Sequence, residues 1–340
     1  MSIETPAVAA EGIDAGIAWH HGDPLGEQRE LARGAGVIDR SNRGVLTVTG
    51  AERLAWLHTI CSQHVADLAD GDCAEALVLS PHGHVEQHWQ LSELGGTVWI
   101  DTEPGAAPTV LAYLQMMRFL KRVEPADVTQ DWAVLSLVGP HTAGVLATAA
   151  LPVPELGRAI ALPEKGFVRR MSWPGDDAAD LLVPRASAPG MLATLREAGA
   201  RPAGLWAFEA LRVQARRPRL GVETDHRTIA HELGWIGSAV HLNKGCYRGQ
   251  ETVARVQNLG KPPRRLVLLH LSGESDVLPA AGTPVEANGR SVGFLGTAVH
   301  HHELGPIALA VIKRSLPDDT PLRVAGAPVA IDAAQPGASG

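Results

Sequence analysis

The chain has 340 residues, of which 45% are hydrophobic and 20% charged, the composition of a globular protein with two or three domains. Its formal net charge of −7 disfavours a general electrostatic affinity for nucleic acid or anionic membranes. No apolar run is long enough to span a bilayer, and residues 1–16 do not read as a signal peptide. Three widely spaced cysteines, Cys61, Cys73 and Cys246, favour a reducing compartment, so we expect a cytoplasmic location.

The first three quarters of the chain alternates predicted strands with predicted helices. Gly95-Gly96 is a strong hairpin signal between two of the strands. This mixture favours an α+β fold with mixed layers over a strictly parallel sheet. Predicted strands cover residues 44–48, 74–79, 88–91, 97–101, 132–138, 166–173 and 179–183. Predicted helices cover residues 107–121, 141–150, 188–198, 204–215 and 250–257, and another opens after Gly50.

A change of character at Pro262-Pro263 marks the clearest domain boundary, because two prolines stop a helix and stiffen a connection. Short strands are predicted beyond it, with Asn288-Gly289 as a hairpin turn, and their even spacing predicts a small β-barrel. The expected organisation is a flexible tail, a body, a barrel domain and a second tail, over residues 1–16, 17–262, 263–333 and 334–340. The predicted barrel strands cover residues 266–271, 283–287, 290–295, 308–312 and 328–331.

The most informative segment is 244–251, with the sequence KGCYRGQE. Gly245 and Gly249 bracket Cys246 in a loop that can approach a ligand closely. Cys246 is predicted just before a helix, whose dipole favours a thiolate, and Lys244 and Arg248 add cationic charge nearby. The pattern therefore predicts a reactive thiol. The alternative is a buried cysteine that packs as a small hydrophobic residue.

This segment resembles the K-G-C-Y-x-G-Q-E signature of the YgfZ-type folate-binding proteins, which belong to the glycine-cleavage T-protein superfamily. Residues 37–41 (VIDRS) and 206–220 (WAFEALRVQARRPRL) are similar to further segments of these proteins. The resemblance implies two related α/β lobes around a central folate channel and a small C-terminal β-barrel. It also implies tetrahydrofolate as the cofactor, and iron–sulfur enzymes or cluster-assembly proteins as partners.

The resemblance further implies which residues form the site. Arg118, Lys121 and Arg122 end a predicted helix and are candidates for the anionic glutamate tail of folate, although cations there also stabilise a helix C-terminus. Cys246 is implied as the reactive, catalytic residue. The implied folate contacts are Gln214, Lys244, Tyr247, Arg248 and Arg255.

Two positions depart from the T-protein pattern. Gln87 and His88 stand where the T protein carries a pair of aspartates, and Gln214 stands where it carries a glutamate that contacts the pterin. His88 can still exchange a proton, and Gln214 can still hydrogen-bond a pterin edge. These departures favour a folate-binding accessory protein over an aminomethyltransferase. A one-carbon transferase with His88 as its base, and a folate-binding module with a structural Cys246, remain alternatives.

Histidine clusters predict no metal site. The consecutive histidines 300–302 would point to alternate faces of a strand, so a solvated turn is the favoured interpretation. His82, His84 and His88 have even spacing and can share a face, but the sequence shows no second cluster that would complete a metal site.

Overall fold

The computed structural model describes residues 7–273 and 277–332. No helix within these ranges is both long and apolar enough to cross a bilayer. The α-helices are α1 (Pro24–Arg33), α2 (Arg53–Ile60), α3 (Ala107–Arg118), α4 (Thr142–Thr148), α5 (Ala188–Glu197), α6 (Leu205–Gln214) and α7 (Gln250–Leu259). The strands are β1 (Val8–Ala9), β2 (Ala18–His20), β3 (Gly36–Asp39), β4 (Gly44–Thr49), β5 (Cys73–Leu79), β6 (Val85–Leu94), β7 (Thr97–Thr102), β8 (Glu124–Asp127), β9 (Trp132–Val138), β10 (Arg158–Ala161), β11 (Phe167–Arg170), β12 (Ala178–Pro184), β13 (Arg201–Pro202), β14 (Arg264–Leu271), β15 (Pro284–Ala287), β16 (Arg290–His301), β17 (Gly305–Lys313), β18 (Leu322–Val324) and β19 (Ala327–Ile331).

Two related α/β lobes form the body of the protein, as the family resemblance implies. Lobe 1 is a five-stranded sheet in the order β5-β6-β7-β4-β8, and lobe 2 is a six-stranded sheet in the order β10-β11-β12-β9-β3-β13. Each lobe runs strand, helix, three strands, helix, strand along the chain, and β3 is an extra strand in lobe 2. Helices α2 and α3 pack on the first sheet, and α4 and α5 pack on the second.

Helix α1 was not predicted from the sequence, although its start carries a clear local signal. Pro24 occupies the first helical turn, and the Asp23 carboxylate accepts a hydrogen bond from the Gly26 N–H at 2.8 Å. Both features stabilise a helix N-terminus, because they suit backbone groups that have no intrahelical partner. The helix is polar over most of its length, so it has too few apolar residues to show a helical hydrophobic periodicity.

The C-terminal strands close into a barrel in the order β14-β17-β16-β15-β18-β19. Asn288 and Gly289 have φ values of 50° and 72°, as a tight hairpin turn requires. The strand predicted to end at Leu295 continues to His301 through a bulge, so it is longer than expected. The barrel packs against α6 through Leu268 and Ile307.

The N-terminal segment differs from the flexible tail that the sequence predicts. Strand β1 pairs with β2, and Asp14 is buried. Both Asp14 carboxylate oxygens accept hydrogen bonds from the Arg219 guanidinium at 2.9 Å. This two-point ion pair fastens residues 7–16 to the body. Residues 1–6 and the predicted tail 334–340 lie outside the described residues.

We expect Asp14→Asn to lower the free energy of unfolding by about 1–3 kcal/mol, because Arg219 loses one of its buried carboxylate partners. Urea denaturation measures this change. Glu155→Gln, which removes an exposed carboxylate, is the matched control and should have little effect. Equal stability of the two variants would show that the segment is not fastened in this way.

Candidate functional site

Lys244 anchors the loop that carries Cys246. Its ammonium donates hydrogen bonds to the carbonyl oxygens of His58, Cys61 and Gln63 at 2.5, 2.6 and 2.9 Å. These carbonyls lie at the C-terminal end of α2 and just beyond it, where backbone acceptors lack helical partners and a cation is stabilising. Burial lowers the pKa of Lys244. The Lys244 ammonium therefore holds the loop against the end of α2, and its predicted folate contact stays a prediction.

Close packing fixes the other end of the loop against the turn at residues 80–84. Gly249 has a φ of 82°, and a side chain there would place its Cβ 2.5 Å from the Ser80 carbonyl oxygen. On the facing turn, a Cβ at Gly83 would lie 2.5 Å from the Cβ of Thr252. The Thr252 hydroxyl also donates to the His82 carbonyl at 2.8 Å. Glycine is required at Gly249 by this contact and by its left-handed backbone.

Tyr247 and Arg248 also contact lobe 1. Tyr247 is buried in an apolar cluster with Leu77 and Trp235, and burial raises its pKa to about 12. The Arg248 guanidinium donates to the Glu86 carboxylate at 3.2 Å. Both residues hold the loop against the body, and the folate contacts predicted for them stay predictions.

Cys246 itself is exposed, while its neighbours are occupied by structural contacts. It precedes the first residue of α7 by four positions, so it is not part of the first helical turn. Lys244 and Arg248 are directed to carbonyl oxygens and to Glu86. The two cations that the sequence suggested would favour a thiolate thus have other partners, and accessibility is what distinguishes this cysteine.

We expect Cys246 to react with iodoacetamide at neutral pH at least about tenfold faster than Cys61 or Cys73. Burial raises the pKa of both the Cys61 and the Cys73 thiols and limits access to them. Peptide mapping after timed alkylation gives the three rates. In denaturing urea the rates should converge, and a Cys246 that labels as slowly as Cys61 in the folded protein would contradict this account.

The second candidate region lies between the lobes, around His88. His88 is 2% exposed, and its Nε2 lies 2.6 Å from the Glu75 Oε1. Gln87 is on the opposite face of β6, where it accepts a hydrogen bond from the indole of Trp89 at 3.0 Å. His88 therefore occupies the inward-facing position of the pair that replaces the T-protein aspartates, and Gln87 is a core residue.

Two tryptophans flank His88. The rings of Trp235 and Trp173 lie 5.2 and 5.9 Å from its ring, between centroids. Both indole Nε1–H groups are buried, and among the described residues neither has a hydrogen-bond acceptor. Buried donors without a partner are rare in folded proteins and indicate a missing ligand or water. No motif in the sequence indicates Trp173 or Trp235 as site residues.

A ladder of buried ion pairs fills the remaining space between the lobes. Arg169 of lobe 2 contacts Asp101 of lobe 1 at 2.5 Å and Asp180 of its own lobe at 2.9 Å. Arg43 donates to Asp101 at 2.6 Å. Opposite charges thus link the two sheets directly across their interface.

Glu103 and Arg219 continue the ladder toward α6. Arg219 Nε donates to Glu103 at 2.8 Å, and the nearby cavity, lined also by Trp173 and Phe208, holds about 10 Å³. That is the space of about one water molecule. This cavity therefore has room for a water molecule but not for a folate ring.

Acid should weaken this interface. Burial acts to raise the pKa of Glu103, but Arg219 and Arg43 outweigh it and lower the pKa to about 2. The folded state then binds fewer protons than the unfolded state between the ordinary value of 4.5 and about 2, so stability falls as the pH falls through this window. The contribution is on the order of 3 kcal/mol. Urea unfolding at a series of pH values should show a flatter dependence for Glu103→Gln, and identical slopes would contradict the assignment.

Gln214 lies apart from the Cys246 loop. It is the exposed last residue of α6 and lines a cavity of about 290 Å³ with Leu211, Pro174 and Asp177. Arg255 is exposed on α7. The structure therefore brings Lys244, Tyr247 and Arg248 together on lobe 1, but it does not bring Gln214 or Arg255 into the same cluster.

The histidine and helix-end candidates have structural partners. The prediction of a solvated turn at residues 300–302 was wrong, because His301 is 2% exposed and its Nδ1 accepts the backbone N–H groups of Glu303 and Leu304. Within residues 7–273 and 277–332, no group of three His, Cys, Asp or Glu could hold a metal ion. Lys121 and Arg122 both contact Glu52 at 3.2 Å.

Comparison with protein families identifies the chain. The family model described as the GCVT N-terminal domain matches residues 20–244. The chain belongs to the GCVT family. A second model, described as the CAF17 C-terminal beta-barrel domain, matches residues 264–336. The family and the barrel both agree with the predicted fold.

Individual relatives are similar over most of the chain. A chloroplastic protein of Arabidopsis thaliana named as a transferase is 26% identical over 77% of this chain, which spans 61% of the plant protein. Aminomethyltransferases of Rubrobacter xylanophilus and Moorella thermoacetica are 28% and 29% identical; the matches cover 84% of this chain and 78% and 80% of theirs. The aminomethyltransferase T structure of the glycine cleavage system from Bartonella henselae superposes with a TM-score of 0.86 at 20% identity, covering 97% of this chain and 94% of that one. That similarity establishes the fold.

Proposed function

We propose that the protein is a YgfZ-type accessory protein that binds tetrahydrofolate and supports the assembly or repair of iron–sulfur clusters, in the cytoplasm. The observation that carries the proposal is that Cys246 is exposed. It lies on a loop that Lys244 and Arg248 fix to the body of the protein. The pairing of a GCVT body with a CAF17-type barrel supports the YgfZ type. The three free cysteines suit a reducing compartment.

Two features of the structure fit a reduced folate. The indole N–H groups of Trp173 and Trp235 have no hydrogen-bond acceptor among the described residues. A pterin ring offers carbonyl and ring-nitrogen acceptors for them. The Gln214 cavity lies beside the same segment, because Pro174 follows Trp173 directly, and its volume is near the lower limit of small-molecule pockets. Folate would supply a one-carbon carrier, while these residues bind and orient it.

Cys246 would act with a partner. Iron–sulfur clusters take about four thiolate-type ligands, so one exposed cysteine can share ligation or make a transient contact but cannot hold a cluster alone. The free thiols of Cys61 and Cys73 do not complete a set of cluster ligands. Cys61 is buried, and the Cys73 thiol is hydrogen-bonded to the Ser92 hydroxyl within lobe 1 at 3.3 Å. The proposed partners are iron–sulfur enzymes or cluster-assembly proteins.

A folate-dependent one-carbon transferase is the second candidate, favoured by one observation. The His88–Glu75 pair is a histidine oriented by a carboxylate, which is the arrangement of a general base. The relatives named aminomethyltransferase agree with this alternative. In that case His88 would accept a proton from the folate amine as a general base, and Cys246 would not be needed for activity.

Calorimetric titration with tetrahydrofolate tests the ligand. Trp235→Phe removes one orphan donor while keeping an aromatic ring, so we expect binding to weaken by about three- to tenfold. Trp99→Phe is the matched control, because Trp99 packs against Trp132 and Phe167, away from His88. Binding that is absent from the wild type, or equal in both variants, would count against the folate site.

Complementation of a strain lacking the gene separates the two functions. We expect Cys246→Ser to bind tetrahydrofolate normally yet to leave iron–sulfur enzyme activity low, while His88→Gln restores it. The transferase alternative requires the reverse pattern. Full activity with Cys246→Ser would remove the proposed role of the thiol.

A further inference from the structure

The end of α3 presents the most exposed apolar side chains of the lobes. Met116, Phe119 and Leu120 are 62%, 81% and 98% exposed. We call residues 116–122, with the sequence MRFLKR after Met116, the α3 tip. Exposed large apolar residues that occur together indicate an interaction surface, whereas isolated ones are ordinary.

The backbone of the α3 tip is held in an unusual conformation. Phe119 ends the helix with φ 44° and ψ −123°, a region that favours glycine. Glu52 fastens the residues that follow, because its carboxylate accepts hydrogen bonds from the Arg122 backbone N–H at 2.9 Å and from the Lys121 ammonium at 3.2 Å. A bulky residue kept in a strained, outward position points to a function for its side chain.

The α3 tip lies on the helix that contacts the backbone to which the Cys246 loop is anchored. The Tyr113 hydroxyl donates to the Ile60 carbonyl at 2.8 Å, and the next carbonyl along the chain, that of Cys61, accepts from the Lys244 ammonium, two residues before Cys246. Met116 is three residues after Tyr113 and therefore lies on the same side of α3. The α3 tip begins about 5 Å further along the helix axis than Tyr113, at 1.5 Å per residue. One partner can therefore cover the tip and reach Cys246.

Charge indicates what kind of partner fits. Arg118, Lys121 and Arg122 surround the apolar side chains, and Glu52 is the carboxylate that faces Lys121 and Arg122. The tip is therefore locally positive on a chain whose net charge is −7. That overall charge opposes binding to an anionic membrane, whereas a protein with an acidic rim is attracted to the tip alone.

We propose that the α3 tip is the docking surface for the partner protein, which presents an apolar pocket rimmed by acidic side chains and thereby comes within reach of Cys246. Phe119 and Leu120 are the anchors that enter the pocket, since buried aromatic and aliphatic side chains contribute most of the binding energy of an interface. This inference rests on the proposed function and identifies the surface through which it operates.

The test measures binding to a purified iron–sulfur holoenzyme whose activity falls in cells lacking this protein. The variant Phe119→Gly with Leu120→Ser should fold well, because glycine accepts the backbone at residue 119. We expect its dissociation constant to rise at least tenfold, and that of Arg118→Glu to rise several-fold. The double variant Val153→Ser with Leu156→Ser, at two other exposed apolar residues, is the matched control and should bind normally.

Three outcomes would overturn the inference. The tip variant binds the holoenzyme as the wild type does; or it loses binding to phosphatidylglycerol vesicles instead; or it loses a dimer that sedimentation detects in the wild type. Complementation separates this result from the proposed function. If the tip variant restores enzyme activity while Cys246→Ser does not, the docking surface is wrong and the function stands; if both restore it, the function itself fails.

Discussion

The ion pair between Arg169 and Asp101 is the interaction on which the architecture of the body depends. Each sheet packs its helices on one face and turns the other face toward the interface, where arginines and carboxylates meet. Buried charges are tolerated when every partner is present, and removing one partner leaves the other uncompensated. The ion pairs that Glu103 forms with Arg43 and Arg219 must therefore be kept together. Arg219 also holds the N-terminal segment, through its ion pair with Asp14.

This ladder also decides where a ligand can enter. Separating its charges to open a wide central channel would expose several buried ions at once, which is costly. The region around His88 holds one buried pair, His88 with Glu75, and two indole donors that have no acceptor among the described residues. A ligand that accepts from Trp173 and Trp235 would gain these hydrogen bonds without separating the charges of the ladder. We therefore expect a ligand to bind beside the ladder and not through it.

The sequence predicted the fold well where patterns are local, and the site less well. The Asn288-Gly289 turn and the β9 strand required only short-range signals, and they appear as expected. Strand β9 is apolar at almost every position and shows no alternation, because both its faces are buried. By contrast, helix α1 was not predicted, because most of it is polar. The length of β16 was underestimated, because the sequence at its bulge resembles the end of a strand.

The contacts of the predicted site residues could not be read from the sequence, for a physical reason. A lysine and an arginine in a glycine-rich loop can bind a ligand or can satisfy backbone carbonyls and carboxylates, and the two roles call for the same residues. The partners of Lys244 lie 181 to 186 positions away along the chain, and Glu86 lies 162 positions from Arg248. No local pattern encodes such contacts. Trp173 and Trp235 became candidates in the same way, because the absence of an acceptor is visible only in three dimensions.

The loop and the lobe interface, which look separate along the sequence, are joined by packing. Tyr247 is adjacent to Cys246 and lies in the same apolar cluster as Trp235, whose ring is 5.2 Å from His88. Protein interiors are close-packed, so a ligand that reorients Trp235 must also move Tyr247 or be resisted by it. Tyr247 cannot move far, because Lys244 and Gly249 fix the chain on both sides. The packing around His88 therefore extends through one apolar cluster to the residue beside the exposed thiol.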